Sequence, residues 1–458
     1  MKPITDKKGL VAALWDAADI EHQLMVQYLY AGFSLKRDPD DTCTPPEYEH
    51  VRRWSSTLFM IARQEMEHLS FVSEMLTAIG EPPRFVRQNI GKRGLQSPYF
   101  TSATLALEAA PNDPQPISLH YDFDRFDRRT VERFVCGESP PYKDLPPHVD
   151  PKWCFTCGDS TGPADAPLME TALKPRKGAK QEVAAGNVQE LYDAIKVAFQ
   201  TLPDIFVPDP AEVEVPVEYN VFVFPVTDRA SAVAAVDLIL KQGEGLGDPW
   251  NLDSHFRRFM EIHAELVELE ERAEKAGRTF DPAYPVISNP DRDDIANDFT
   301  RAVFDVANES YVVLLLMLAS LYDRAVPASR DVYPHLATAL SQMSFAPAMT
   351  MVVRALNEVL VRLPIDDAGR ATGSNYHIGR DDRELLKNPR NEKLGNITFL
   401  LRRWQKLTEG IHDLAEKAPA EPAWIRGSLE YAYQSSYRIE ANLRHIYQAG
   451  AYPKFVVT

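Results

Sequence analysis

Hydrophobic residues recur every three or four positions along most of this chain, which is the spacing of one face of an α-helix. The pattern predicts long helices near residues 8–36, 49–79, 186–202, 228–243, 252–276, 293–325, 335–361, 390–417 and 422–448. Residues 80–185 lose the helical period and are rich in Pro, Asp and Gly. The chain is therefore expected to be mainly α, with one long irregular insertion.

The insertion and a Pro-rich link define the expected architecture. Short apolar alternations occur at Thr101–Leu107 and Ile117–Phe123, and one short helix is predicted near Arg129–Cys136. The link Pro203–Pro216 leads to Val217–Val226, which is expected to be a short strand or an extended segment. Two long helices, the insertion and two further helices predict a four-helix bundle with a long crossover over residues 1–276. Residues 277–458 are expected to form a helical region packed on that bundle.

Charge and composition exclude several classes of function. The 458 residues include 50 Lys and Arg against 66 Asp and Glu, a formal charge of −16 that repels a nucleic-acid backbone. The longest apolar run, Tyr311–Tyr322, is shorter than the about 20 residues of a membrane-spanning helix, and the amino terminus has no signal-peptide core. We expect a cytoplasmic protein with neither nucleic acid nor membrane as a partner. Its four cysteines are expected to be reduced: Cys43, Cys136, Cys154 and Cys157.

Glu21 is the first residue with a chemical signal. Leu24, Met25 and Tyr28 follow it at helical spacing and share its face of the first helix. A carboxylate on an apolar face is destabilising unless it is paired or bound to a metal. Glu21 therefore either lies at the edge of the face and reaches water, or it binds a metal ion.

The second helix carries Glu65 and His68 three residues apart, so both project from one side and can hold the same ion. The same side carries apolar residues, whereas Glu67 points elsewhere and is expected on the surface. An isolated Glu-x-x-His is common by chance. Together with a Glu from the preceding helix, it forms half of the carboxylate-bridged di-metal site found in some helical bundles.

The second helix pair offers the other half less directly. Glu190 lies on an apolar face and matches Glu21, but the fourth helix has no Glu-x-x-His. It has Glu244 and His255, which on an unbroken helix would lie about 16 Å apart along the axis. The glycines and proline of 243–249 indicate that the helix stops and restarts there, so a loop could fold His255 back toward Glu244. The alternative is that both residues only mark the ends of two helices.

The order of these segments resembles the ferritin-like domain of the violacein-pathway iminophenyl-pyruvate dimer synthases and their stand-alone relatives. The matching stretches cover most of the chain: Ala17–Leu35, Ile61–Leu69, Ala78–Gly80 with Pro83, Glu190–Tyr192, Pro225–Asp228, Gln242–Gly245, Ser254–Phe259 and Met351–Pro364. The full-length synthases carry a large additional amino-terminal region that is absent from this sequence. The resemblance therefore carries over neither the coupling of two imino acids nor a substrate.

The resemblance implies a metal centre with six ligands: Glu21, Glu65, His68, Glu190, Glu244 and His255. Four carboxylates and two imidazoles suit two iron ions, or manganese, better than zinc or calcium. Dioxygen is then the expected co-substrate, with Glu65 and Glu244 as catalytic ligands and Tyr28 and Tyr192 as catalytic neighbours. The bulk beyond the bundle suggests a small organic, amino-acid-derived substrate of specialised metabolism. An external reductant and a homodimer are compatible with this hypothesis.

Three other functions use the same residues. A ferroxidase or peroxide scavenger would react with Fe(II) or hydrogen peroxide alone. A non-catalytic scaffold would support a biosynthetic enzyme without needing the ligands, and a zinc or manganese hydrolase would act without oxygen. Cys154 and Cys157 offer one more site, a structural zinc or a labile disulfide, but a single Cys-x-x-Cys is a weak signal.

Overall fold

The computed structural model describes residues 3–100, 118–139, 188–208, 223–243, 253–324, 340–387 and 397–448. Its helices are α1 (Lys7–Ser34), α2 (Pro45–Ala78), α3 (Arg128–Gly137), α4 (Val188–Thr201), α5 (Arg229–Gly243), α6 (His255–Lys275), α7 (Asp298–Arg324), α8 (Arg354–Leu360), α9 (Arg380–Leu386), α10 (Ile397–Lys417) and α11 (Ala423–Gln448). Strands β1 (Leu95–Phe100) and β2 (Ser118–Tyr121) form one antiparallel pair. The prediction of a mainly α fold is confirmed.

The first two helices begin at well-formed caps. The Asp6 carboxylate accepts a hydrogen bond from the backbone N–H of Gly9, 2.7 Å away, and so stabilises the start of α1. Thr44 and Glu47 form a capping box at α2, with Pro45 in the first turn. Residues 20–28 of α1 are all buried. This stretch of α1 is therefore covered on every side, as expected of a helix segment inside the protein core.

Helices α1 and α2 run antiparallel, since Phe33 stacks edge-on against Phe59 while Glu21 lies beside His68. The other two positions of the bundle are each filled by two shorter helices in succession. The third position holds α3 and then α4, and the fourth holds α5 and then α6. Helix α3 packs on α6, and α4 packs on α5. The predicted four-helix arrangement is thus present, with its second pair interrupted.

Both interruptions fall at the same level of the bundle. Helix α3 ends with Glu138 as its C-cap, whereas α5 ends at Gly243 and α6 begins at His255. The short helix predicted near Arg129–Cys136 is present as α3, but it packs as a part of the bundle rather than as a detail of an irregular insertion. Its apolar face packs into the bundle because Phe134 contacts both Tyr28 of α1 and Phe259 of α6.

The carboxy-terminal region contacts the bundle through polar and aromatic groups. The imidazole Nε2 of His22 lies 2.6 Å from the phenol oxygen of Tyr311 in α7, and Phe85 packs on Tyr322. The helix predicted at 335–361 contains two π-helical stretches, Ser341–Phe345 and Ala348–Val353, before α8. Helices α10 and α11 pack on each other and close the region over α7 and α8.

In the described part of the chain one segment, Asp298–Tyr322, has the length and composition of a membrane span. It is longer than the apolar run recognised in the sequence. Because 72% of its most apolar window is buried inside the protein, it has the pattern of a core helix.

The cysteines differ from expectation at one position. Cys43 is a free, buried thiol, and burial raises its pKa to about 11. Cys136 at the end of α3 is disulfide-bonded, so the expectation of reduced cysteines is wrong there. Cys154 and Cys157 lie outside the described residues, as do Thr101–Leu107 and most of Val217–Val226.

Candidate metal centre

Five buried acidic and histidine side chains converge where the two interrupted helices break. They form two groups that could each hold a metal ion, because one ligand atom from every member lies within 4.8 Å of the others. The first group is Glu21, Glu65 and His68, and the second is Glu65, Glu138 and His255. Glu65 belongs to both groups. The geometry is therefore that of two adjacent ion sites sharing one carboxylate.

The two oxygens of Glu65 face different imidazoles. Its Oε2 lies 3.3 Å from Nδ1 of His68, while its Oε1 lies 2.9 Å from Nδ1 of His255. The outer carboxylates complete each side. Oε2 of Glu21 is 3.2 Å from Nδ1 of His68, and Oε2 of Glu138 is 3.7 Å from Nδ1 of His255. The two imidazole rings stack with their centres 5.5 Å apart.

Each outer carboxylate also accepts a hydrogen bond from a buried tyrosine. The phenol of Tyr192 in α4 donates to Oε1 of Glu21, and the phenol of Tyr28 in α1 donates to Oε1 of Glu138. In both cases the phenol hydrogen-bonds one carboxylate oxygen, and the other oxygen faces the imidazole. Both tyrosines singled out in the sequence therefore contact the cluster, Tyr192 through Glu21 and Tyr28 through Glu138, which was not among the predicted ligands.

Each imidazole is also oriented from its far side. Nε2 of His68 lies 2.9 Å from Oε1 of Gln242 at the end of α5, and Nε2 of His255 lies 3.2 Å from Oε1 of Gln64 in α2. A carbonyl oxygen accepts only from a protonated ring nitrogen. These contacts therefore favour the state in which Nε2 carries the proton and Nδ1 faces the carboxylates.

Burial and mutual charge shift the titration of the cluster. Burial, and then the negative charge of Glu65, raise the pKa of Glu21 to about 8. For Glu65 burial acts in the same direction, but the neighbouring imidazoles of His255 and His68 outweigh it and hold its pKa well below the usual range. Burial would lower the pKa of His255, but Glu65 and Glu138 raise it to about 9. Without an ion, the cluster therefore retains protons that bound cations would displace.

The sequence-predicted ligands are only partly brought together. Glu21, Glu65, His68 and His255 lie together; spacing pointed to the first three, and the resemblance implied His255. Glu190 lies in the first turn of α4, partly exposed, and belongs to neither ligand group. Glu244 lies outside the described residues, so its role as a ligand stays a prediction.

Glu138 is the member of the two groups that sequence reasoning missed. It follows Val131 by seven residues and Phe134 by four, so it continues the apolar face of α3 in the way that Glu21 continues that of α1. The same criterion would have identified it if α3 had been recognised as part of the bundle. Glu67, expected on the surface, is instead 3% exposed and faces Arg63 rather than the ligand cluster.

A sequence model described as ferritin-like matches residues 14–264, which is more than half of the chain. The match begins in α1, ends in α6 and includes all five clustered side chains. A crystal structure of a ferritin-like protein from Caulobacter vibrioides aligns with 81% of this chain and all of its own, at 16% identity and a TM-score of 0.44.

Two curated proteins are similar in sequence. The chain is 24% identical over 418 residues to dichlorochromopyrrolate synthase of Lentzea aerocolonigenes, which covers 82% of this chain and 36% of that protein. It is 25% identical over 460 residues to the 2-imino-3-(indol-3-yl)propanoate dimerase of Chromobacterium violaceum, which covers 92% of this chain and 38% of that protein. The chain thus spans less than two-fifths of the length of these curated relatives.

Proposed function

The chain belongs to the ferritin-like family, and on that premise we propose that it is a non-haem di-iron, or mixed iron–manganese, oxidoreductase. It activates dioxygen to oxidise a small organic substrate in secondary metabolism. The observation that carries the proposal is the pair of buried ligand groups that share Glu65. Its similarity to two biosynthetic enzymes supports an enzyme rather than a storage protein.

The cluster fits metal ions better than it fits a network of hydrogen bonds. Oε1 of Glu65 and Nδ1 of His255 are buried and face each other at 2.9 Å. Among the described residues, neither atom has a hydrogen-bond partner of acceptable geometry. Buried polar atoms without partners are costly, and an ion bound between them would satisfy both.

The donor set supports iron or manganese. Three carboxylates and two imidazoles, without a thiolate, suit these ions, whereas calcium prefers oxygen ligands alone. Two redox-active ions held by these residues would supply electrons for the reduction of dioxygen. A structural zinc site prefers four-coordinate binding by sulfur and nitrogen, which this cluster does not offer.

The chain's own residues prepare the site. Glu65 offers one oxygen to each ion site, and the phenols of Tyr28 and Tyr192 fix the orientation of the outer carboxylates. Burial and the neighbouring Glu138 raise the pKa of Tyr28 well above its ordinary value, so its phenol keeps a proton beside the carboxylate. The whole cluster is at most 5% exposed, which excludes bulk water and strengthens each electrostatic contact.

The substrate class follows from the relatives' names. One of them is named as the dimerase of an indolyl imino acid. We therefore propose an amino-acid-derived substrate. The proposal also includes an external reductant and a cytoplasmic location. The coupling activity of those longer proteins is not carried over, because the chain spans so little of their length.

The test is anaerobic loading with Fe(II), followed by metal analysis and exposure to oxygen. We expect about two irons per chain and a transient visible band on oxygen addition. Glu65→Gln should abolish both, while Glu67→Gln, two residues along the same helix and outside both ligand groups, should retain both. Wild-type protein that binds less than one iron would contradict the proposal.

The rival functions give different results in the same preparation. Rapid turnover of Fe(II) or hydrogen peroxide without an organic substrate would indicate a ferroxidase or scavenger. Activity that persists under argon would indicate a hydrolase. If the Glu65→Ala and His68→Ala variants still supported product formation by the biosynthetic pathway at the wild-type level, the chain would be a scaffold.

A further inference from the structure

A cavity of about 1030 Å³ lies between the α1–α2 pair and the carboxy-terminal region. We propose that this cavity is a second binding site, for a small anionic ligand that consists of an apolar body and a carboxylate, with the carboxylate bound at Arg63. The site is distinct from the metal centre. The inference goes beyond the proposed oxidation and does not depend on bound metal.

The cavity and the metal centre are lined by different residues of the same two helices, α1 and α2. None of the five clustered ligands lines the cavity, and neither do the tyrosines and glutamines that contact those ligands. Met25 follows Glu21 by one helical turn and Leu69 follows His68 directly, and both are buried lining residues. Their side chains therefore belong to the wall between the two sites.

The walls suit an apolar body of substantial size. The volume is at the upper end of the roughly 300–1,000 Å³ typical of small-molecule pockets. Most of the interior is apolar, with leucines from α7 and four methionines, Met25, Met60, Met66 and Met349. Methionine side chains are flexible and polarisable, so they adapt to ligands of different shape, including aromatic ones.

The residues that line the cavity are richer in cations than the protein as a whole. Although the chain carries a net −16, the lining includes six cations and one carboxylate, that of Glu49. The cations are Lys36, Arg37, Arg52, Arg53, Arg63 and Arg354. Lys36, Arg52 and Arg354 are paired with Asp40, Glu49 and Glu358 at 2.7–3.3 Å. An anionic ligand would therefore bind where a cation keeps a donor without a partner.

Arg63 is the cation best placed to bind a ligand. Arg37 donates to Glu358 at 2.8 Å, and Arg53 donates to Glu265 at 3.1 Å. The contact of Arg63 with Glu67 is longer, at 3.8 Å, and its Nε is buried without a hydrogen-bond partner in the described structure. Nε of Arg37 is also without such a partner, but the guanidinium of Arg37 is already held by Glu358. A ligand carboxylate could supply that partner and form the bidentate pair that a guanidinium prefers.

The apolar body of the ligand could be aliphatic or aromatic, so the experiment uses one carboxylate probe of each kind. Dodecanoate and 1-pyrenebutyrate are titrated into the full chain by calorimetry, with dodecanol as the uncharged control. We expect saturable binding near one probe per chain for at least one carboxylate, and much weaker binding of dodecanol. The probe that binds more tightly identifies the body of the ligand.

Two variants assign binding to this cavity. Arg63→Gln should weaken the carboxylate by about tenfold or more, whereas Arg258→Gln, an arginine of similar exposure outside the cavity, should leave it unchanged. Leu318→Trp, which places a larger side chain in the lining, should also weaken binding while circular dichroism reports a folded protein.

The same titration separates this inference from the proposed function. Binding should be equal in metal-free and iron-loaded protein and should survive Glu65→Gln. The inference would be overturned if neither carboxylate bound saturably or if dodecanol bound equally well. It would also be overturned by an unaltered affinity in folded Arg63→Gln or by loss of binding in folded Glu65→Gln. Absence of iron binding in the loading experiment would leave it intact.

Discussion

The phenol of Tyr28 donates a hydrogen bond to Glu138, a residue 110 positions further along the chain. This bond connects the carboxy-terminal third of α1 to the end of α3, where the third position of the bundle is interrupted. It holds Glu138 beside His255 and Glu65, and so completes the second ligand group. The candidate ligand from the third bundle position is therefore a helix-capping residue rather than a residue within a helix.

Exchanging Glu138 and Glu190 for glutamine distinguishes these two candidates for the third-position ligand. Glu138→Gln should reduce bound iron from about two per chain to about one, because an amide is a poorer ligand for these ions than a carboxylate. Glu190→Gln, in the partly exposed first turn of α4, should retain both ions. Metal analysis after anaerobic loading measures the difference. The reverse result would assign the ligand to Glu190.

Gln242 should control metal affinity without being a ligand. Its amide oxygen lies 2.9 Å from Nε2 of His68, so Gln242→Leu removes the partner that fixes the ring. Loss of such a partner typically weakens metal binding about 10- to 100-fold. Competition with a chromophoric chelator measures this affinity, and the exposed Gln200→Leu serves as the control. Equal affinities in the two variants would show that the amide does not orient the ring.

Asp122 should contribute to stability in a pH-dependent way. Burial acts to raise its pKa, but His120 and Arg133 outweigh burial and lower the pKa from 3.8 to about 2. The folded protein therefore keeps the carboxylate ionised at a pH where the unfolded chain has taken up a proton. The resulting stabilisation, on the order of 2 kcal/mol, is complete above about pH 5 and is lost as pH falls through 3.8 toward 2.

Denaturant unfolding of the metal-free protein at pH 7 and pH 3 checks this prediction. Asp122→Asn should be less stable at pH 7 and should lose less stability on acidification than the wild type. The control Asp253→Asn, at an exposed position, should have the same free energy of unfolding as the wild type at both pH values. Parallel losses in wild type and Asp122→Asn would refute the assignment.

Two glycines of nearly identical backbone conformation should respond differently to alanine. Gly94 and Gly277 have φ angles of 70° and 69°, where a side chain is strained by about 1–2 kcal/mol. A Cβ at Gly277 would meet nothing within 4 Å, whereas one at Gly94 would lie 2.2 Å from Asp122 Oδ1. Gly94→Ala should therefore lower the free energy of unfolding by at least about 2 kcal/mol more than Gly277→Ala. Equal losses of unfolding free energy for the two variants, measured by thermal or denaturant unfolding, would contradict this prediction.

The sequence predicts best what depends on local spacing. The apolar faces locate α1, α2 and α4–α7, and the three-residue separation of Glu65 and His68 is sufficient to identify their shared side. His255 required a resemblance as well as spacing, because its position depends on how the chain restarts after a break. Glu138 was missed because α3 is short and surrounded by irregular sequence, so only its packing on α6 reveals that it belongs to the bundle.

Contacts made by the ligands' neighbours were the least predictable from sequence. Gln64 and Gln242 come from different helices, and nothing in their local sequence distinguishes them from surface glutamines. The disulfide at Cys136 similarly depends on which segments the fold brings together. Tyr28 and Tyr192 could be proposed only from their nearness to ligands in sequence, whereas the fold pairs Tyr28 with a carboxylate from a distant helix.

The level at which both helices break also affects how the chain is held together. Ligands at residues 21, 65, 138 and 255 come from four separate segments, so a pair of bound ions would cross-link loops that are long in the unfolded chain. Closing such loops restricts the unfolded ensemble in the way that a disulfide does, and the entropic gain grows with loop length. Loading the centre would thus raise resistance to unfolding across the whole bundle and join its interrupted half-helices into one cooperative unit.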